Sequence, residues 1–511
     1  MRRFHMFRCR AVLGVFLFLI AFAAFLCPQV SALELTPAMK TAIGWIDQNK
    51  AVYDETARYV WENPELSLVE FKSSAKLQKY LESNGFTIQK GVAGMATAFV
   101  AVWGSGKPVI GLNAEFDALP GLSQESGKTV RKPLVPGGPG HGCGHNLFGA
   151  SSVTAAVAMT KAMEKFGIKG TIKVFGTPAE ETLVGKTFMN RDGVYDGTDI
   201  MMDWHPEYIN GADYSSSMAQ DSIKFRFYGK ASHAGFAPEA GRSALDAVEL
   251  MNVAANYMRE HIVQGAKISY AITKTEGVPS IVPAFAESWY TVRTQRRAQV
   301  DPIRAWLIDV AKGAALMTQT KMEYQVIVGV YEYLPNRTLS MMGTEMAKLI
   351  GPPPFTTEDQ QLGAAILKDM GKEVKGEPYS AKITVPDFSK KFPDVPFVGA
   401  SMDVNYTWRF PSVKFVAATF AGGTPLHSWI TVCQTGTPTS LKAGLQVSKY
   451  MAASGLELLT NPKLVADAQA ELKGELARLG AYKEPIPAGA KVPTFKDLYG
   501  MEPDQVPGAK K

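Results

Sequence analysis

From Thr36 to about Ser217 the chain alternates helical and strand-like runs, and that alternation decides its fold class. "MKTAIGWIDQNKAVYDETARYVWENP" and "EFKSSAKLQKYLESNG" carry apolar residues at three- and four-residue spacing and stop at Pro or Gly, as amphipathic helices do. "ATAFVAVWG", "KPVIGLNAEFD", "GTIKVFGTPAE" and "TDIMMDWHP" are short β-rich runs, with the helical "LFGASSVTAAVAMTKAMEKFG" between the second and third. The pattern predicts an α/β fold with a mixed, mostly parallel sheet. Sites in such sheets form where strands end and loops begin.

The rhythm then changes. Residues 219–333 spell β-α-β-β-α-β, a small ferredoxin-like unit inserted into the larger one. Helix and strand patterns return afterwards. The expected division is a first catalytic part at 33–218, an inserted lid or dimerisation domain at 219–333, a second catalytic part at 334–460 and a C-terminal extension at 461–511. The Pro-rich end of that extension is expected to wrap the surface. About 480 residues exceed what one core usually holds, which also favours two domains.

The first 32 residues read as a leader. Arg2, Arg3, Arg8 and Arg10 precede the apolar "AVLGVFLFLIAFAAFL", and "VSA" (30–32) offers a cleavage site before Leu33. An uncleaved anchor is the alternative, and Leu26 before Cys27 argues against a lipoprotein. No later segment has eighteen consecutive apolar residues, so the chain beyond the leader is expected to be soluble, and the cleavable leader makes the expected location periplasmic or secreted. The leader takes four of the 54 basic residues and none of the 48 acids, leaving a balance of +2. That gives no reason to expect a nucleic-acid partner.

Beyond the leader remain two cysteines, Cys143 and Cys433, and six histidines. An exported chain with two cysteines invites a disulfide. However, Cys143 sits in "PGGPGHGCGHNLFGASS" (136–152) beside His141 and His145, company that suits a metal ligand better than a staple. His261 ends a helix, where it complements the dipole. The other histidines lie in loops or at strand ends, and "TPAEET" places Glu180 and Glu181 directly after a strand. Successive side chains at a strand end diverge, so one acid can bind metal while the other faces substrate. A hydrolytic two-metal site needs several N, O or S ligands and a nearby base. Cys143, His145, Glu181, His205 and His427 would supply the ligands, leaving Glu180 as base.

"NAEFDALPGLSQ", "GHGCGHNLFGA", "TPAEET", "WHP", "ASHAGFAPEAGRSALDAVELM" and "PLHS" together resemble the M20 metallopeptidase and amidohydrolase family. The resemblance spans most of residues 36–460. It is greatest to the branch holding aminobenzoyl-glutamate hydrolase B subunits and plant auxin-conjugate hydrolases. It implies two divalent metals, Zn or Mn, on Cys143, His145, Glu181, His205 and His427, with Glu180 as general base. It also implies that His233 reaches a neighbouring subunit's site to steady the oxyanion. Asp117 resembles the acid that orients a ligand histidine from behind, with a strand-end turn cap as the bland reading. His141 is read as lying behind the ligands or simply exposed. Gly140, Gly142 and Gly144 would let the loop turn so that Cys143 and His145 face one point, before a helix starting near Leu147.

The implied activity is hydrolysis of a small-molecule amide, an N-acyl amino acid such as p-aminobenzoyl-glutamate. The implied partner is a second copy bound through residues 219–333, or a related A-type subunit. A dipeptidase or aminopeptidase on the same scaffold, a metal-free amidase using Cys143, and a non-catalytic binding homologue are the competing readings. "SMDVNYTW" (401–408) departs from the family's S-T-D-V-G-D-V-S-W. Met402, Asn405 and Tyr406 are therefore expected to reshape the pocket wall, with a loop at about 351–396 beside them.

Overall fold

The β-rich runs form the centre of a seven-stranded sheet in the computed structural model, which describes residues 33–508. The leader reading falls outside those residues. The sheet is built from β1 (Thr87–Lys90), β2 (Phe99–Ser105), β3 (Val109–Glu115), β4 (Gly170–Thr177), β5 (Ile200–Glu207), β6 (Gly211–Asp213) and, far along the chain, β11 (Ser412–Ala418). Their order is β1-β2-β4-β3-β5-β11-β6. The four central strands, β4, β3, β5 and β11, run parallel, and the flanking strands are antiparallel. β3 is buried along its whole length, as expected of a strand covered on both faces.

The helix His145–Phe166 packs against β3 and β4 and is covered in turn by the helices Pro37–Gln48 and Pro438–Thr460. Its many Ala, Gly and Ser residues suit this position, because small side chains let helix and sheet approach closely. A Cβ at Gly149 would come within 2.7 Å of the Glu115 carbonyl. The helix begins two residues earlier than its apolar pattern suggested. His145 therefore belongs to its first turn rather than to the loop.

A second, four-stranded antiparallel sheet holds β7 (Ala219–Tyr228), β8 (Lys267–Thr275), β9 (Phe285–Thr294) and β10 (Lys321–Val330), ordered β10-β7-β9-β8. The helices Ala244–Met258 and Arg297–Thr318 pack against it. This is the β-α-β-β-α-β order read from the sequence. One apolar core is continuous from Phe175, Phe188 and Met201 through Ile223, Phe225 and Tyr290 to Val300 and Leu307.

Two expectations are corrected. The 351–396 segment is not one loop, because Thr357–Asp369 is a helix opened by a capping box between Thr356 and Asp359. Asn405 and Tyr406 do not form the pocket wall, since both are fully buried. Asn405 accepts from the Tyr331 N–H at 2.7 Å and donates to the Gly329 carbonyl at 3.0 Å, pinning the strand that leaves the second sheet. Tyr406 donates to Asp203 beneath the main sheet. Met402 is half-buried against the continuous core.

The C-terminal extension opens with the helix Pro462–Leu479 and then runs over the surface. Ile486, Phe495 and Leu498 anchor it. Among the described residues, no helix is long and apolar enough to cross a membrane.

Candidate metal centre

The central parallel strands all deliver chemistry at their C-terminal ends. β3 ends in Glu115 and is followed by Asp117, β4 is followed by Glu180 and Glu181, β5 carries His205, and β11 leads to His427. The loop bearing Cys143 enters the same crevice and passes straight into the helix at His145. Its glycines are dictated by space. Gly144 has φ +83° and lies against Pro206, and a Cβ at Gly140 would come within 2.9 Å of the Leu122 backbone. The His427 N–H donates to the Gly142 carbonyl at 3.1 Å, tying the two loops together.

Three groups of donor atoms converge: Cys143, His145 and His205; Cys143, Glu181 and His427; and Glu115, His145 and Glu180. The structure thus brings together all five residues expected as ligands and the expected base. Cys143 Sγ lies 3.3 Å from His205 Nε2, and Glu181 Oε2 lies 3.4 Å from His427 Nε2. Cys143 and Cys433 are both free and buried, so they form no disulfide.

Hydrogen bonds fix the imidazoles. His145 Nδ1 donates to Asp117 Oδ1 at 2.9 Å, and His205 Nδ1 donates to the Pro206 carbonyl at 2.8 Å. Each Nε2 is left facing the centre, as a ligand requires. Asp117 Oδ2 also accepts from the Glu181 N–H and from Ser67 Oγ, each at 3.0 Å. His141 points elsewhere. It is buried, and its Nε2 donates to the Val60 carbonyl at 3.0 Å, so it joins the loop to the helix Lys50–Glu62. His233 stands exposed on the second sheet's loop, outside all three donor groups, and its Nδ1 accepts the N–H groups of Gly235 and Phe236.

The centre is short of positive charge. Burial raises the Glu180, Glu181 and Glu115 carboxyls above the usual carboxylate range. Burial and the nearby Glu181 push the Cys143 thiol up. Burial alone would lower the pKa of His145, but Cys143, Glu115 and Asp117 outweigh it and raise it. His145 Nε2, Glu115 Oε2 and Glu181 Oε1 are buried without a hydrogen-bond partner, and the first two stand 3.1 Å apart. Divalent cations placed among these atoms would satisfy all three at once. This S, N and O donor set suits a divalent transition metal.

Sequence reasoning missed Glu115, Lys186 and Asp403. Lys186 is 1% exposed, and its ammonium bridges Glu115 at 2.5 Å and Asp403 at 2.6 Å. The available signal was a lysine inside the otherwise uncharged "LVGKTFM".

A profile of peptidase family M20/M25/M40 matches residues 111–415. The chain is 36% identical over 463 residues to the B-type chain of p-aminobenzoyl-glutamate hydrolase from Escherichia coli (strain K12), covering 86% of this chain and 96% of that one. It is 30% identical over 346 residues to Xaa-Arg dipeptidase of Mus musculus, covering 65% and 76%. A solved Bacillus subtilis structure, described as a dinuclear metal binding peptidase from the M20 family, has the same fold. It aligns with TM-score 0.52 at 18% identity, covering 80% of this chain and 99% of that one. The profile match covers more than half of the chain and the Escherichia coli likeness runs along nearly all of that relative, so this protein belongs to peptidase family M20/M25/M40.

Proposed function

We propose that this enzyme hydrolyses the amide bond of N-acyl amino acids, with an aromatic acyl group as in p-aminobenzoyl-glutamate, outside the cytoplasm. The observation that carries the reading is the convergence of Cys143, His145, Glu181, His205 and His427 around Glu180. The substrate class follows the name of the Escherichia coli relative, and the location follows the leader-like first 32 residues.

Two divalent ions, Zn or Mn, would be held by those five residues and would supply Lewis acidity to the water and the scissile carbonyl. Glu180 accepts the proton of the attacking water and returns it to the departing amine nitrogen. Its buried, raised carboxyl is matched to that exchange. Asp117 keeps the His145 Nε2 lone pair directed at the centre. His233 has its Nδ1 occupied as an acceptor, so its proton lies on Nε2, ready to be donated to a developing oxyanion.

The exposed position of His233 suits action on a second copy's site. Residues 219–333 offer a surface for such a homodimer. β8 is an edge strand, and Leu250, Val253 and Tyr257 form an exposed apolar stripe on the adjacent helix Ala244–Met258. Because the Escherichia coli relative is named as one subunit of its enzyme, assembly with a related A-type chain is the alternative. A dipeptidase activity is the second reading, favoured by the Xaa-Arg dipeptidase relatives of mouse and human.

The test uses residues 33–511, stripped with chelator and assayed against p-aminobenzoyl-glutamate, acyl amino acids and dipeptides, with and without Mn²⁺ or Zn²⁺. Metal-restored hydrolysis that is lost in Glu180→Ala supports the reading. Activity that survives metal removal would overturn it in favour of Cys143 as nucleophile.

A further inference from the structure

The turn that presents the paired acids is held in a costly conformation. Ala179, just before Glu180, has φ +57°, and Leu183 has φ +61°. Both lie in the left-handed region that side chains seldom adopt, a state that persists only when the surroundings enforce it. Ala179 is fully buried, so solvent cannot satisfy its N–H.

The group that takes this N–H is Glu70, distant in sequence and itself fully buried. Glu70 Oε1 accepts from the Ala179 N–H at 2.9 Å and from the Leu68 N–H at 2.8 Å. Leu68 is another positive-φ residue, at +71°. Glu70 Oε2 accepts from Thr97 Oγ1 at 2.7 Å. One carboxylate oxygen therefore joins two strained backbones from separate parts of the chain. Two residues on, the Glu181 N–H is taken by Asp117 Oδ2, which Ser67 also holds. The 67–70 segment thus reaches the catalytic turn twice, directly through Glu70 and through Ser67 on Asp117.

Glu70 stands at the N-terminus of the helix Phe71–Glu82, where a carboxylate ordinarily caps its own helix. It does not do so here, since its side chain makes no capping bond. Glu65 does that work instead, accepting from the Lys72 and Ser73 N–H groups at 2.9–3.0 Å. Glu70 is left free to face the site.

We propose that Glu70 is a positioning residue, fixing the Ala179–Glu181 turn so that Glu181 faces the metal position while Glu180 faces the reacting water. The assignment rests on the hydrolytic reading above.

The test compares Glu70→Gln, Glu70→Asp and Glu70→Ala with the natural protein, and with Glu65→Ala as a helix-cap control. Binding of Mn²⁺ and Zn²⁺ to stripped protein is followed by calorimetry, and kcat and KM are measured separately. Gln keeps an acceptor at the same reach, whereas Asp keeps the carboxyl group but falls one methylene short. Gln is therefore expected to stay within about threefold of the natural protein, while Asp and Ala weaken one of the two metals and lower kcat by about tenfold or more at little-changed KM. Glu65→Ala is expected to lower the melting temperature and leave metal affinity alone.

A Gln variant as impaired as Asp, an Asp variant equal to the natural protein, or a Glu65→Ala variant that loses metal equally would overturn the assignment. If Ala fails to fold, the Gln and Asp pair still decides. A natural protein that binds two metals but hydrolyses no amide sinks the hydrolytic reading, whereas the affinity series judges Glu70 independently.

Discussion

Asp117 and His145 are joined by a 2.9 Å hydrogen bond from Nδ1 to Oδ1, with both side chains fully out of solvent. Burial works to raise the Asp117 carboxyl, yet the bond and charge of His145 and the Glu181 N–H hold it below the usual carboxylate range. The same carboxylate thus aims an imidazole and anchors the backbone of Glu181.

Asp117→Asn separates these roles. The amide oxygen can still accept from His145, but the NH2 cannot accept from the Glu181 N–H or from the Ser67 hydroxyl. Metal affinity is expected to fall by about 10- to 100-fold, read by competition with a chromophoric chelator. An unchanged affinity would show that Asp117 merely caps the strand end before Pro120.

The Lys186 bridge is a matter of stability. Its ammonium and both carboxylates are out of water, so removing the cation strands two acids rather than one. Lys186→Met is expected to cost about 3–5 kcal/mol in urea unfolding, the usual scale for breaking a buried ion pair. A loss below about 1 kcal/mol would mean that the acids take up protons at little cost.

The candidate ligand set was legible because its residue types are chemically unusual and lie near glycines, prolines and strand ends. Cys143, His145 and the Glu180–Glu181 pair declare themselves within a few positions. The β-α-β-β-α-β order of the second sheet was equally plain in its hydrophobic periodicity. Glu70, Glu115, Lys186 and Asp403 were not legible. Each is a common residue whose role depends on a partner brought near only by the sheet topology, as when parallel β3 and β4 set Glu115 beside the turn after Thr177. Asn405 and Tyr406 misled for the same reason, since a departure from a motif does not reveal whether the residue faces substrate or core.

His141 makes a pH prediction with a definite sign. Burial, the largest cause, and the nearby His145 lower its pKa from 6.5 to about 4. Between those values the unfolded chain binds a proton that the folded chain refuses. Its contribution to stability is therefore present above pH 6.5 and is lost as pH falls toward 4, by up to roughly 3 kcal/mol. Chemical unfolding at pH 7 and pH 5 should show that slope, and His141→Asn should flatten it. An equal slope in both proteins would place the acid sensitivity elsewhere.

His233 and Glu180 give the sharpest test of shared sites. If His233 serves the neighbour's centre, His233→Ala and Glu180→Ala homodimers are each nearly inactive, for different reasons. In a mixed dimer the protomer that keeps Glu180 receives the intact His233 of the other, and one complete site forms. Random exchange makes about half of the dimers mixed, each with one working site of two, so mixing should restore about a quarter of the natural rate. The readout is amide hydrolysis after co-refolding or co-expression, compared with each variant alone. Recovery to that level requires a two-fold partner that completes the site. No recovery, with exchange verified by differential tagging, would mean that His233 acts within its own chain, and a fully active His233→Ala variant would mean that it has no part in the reaction.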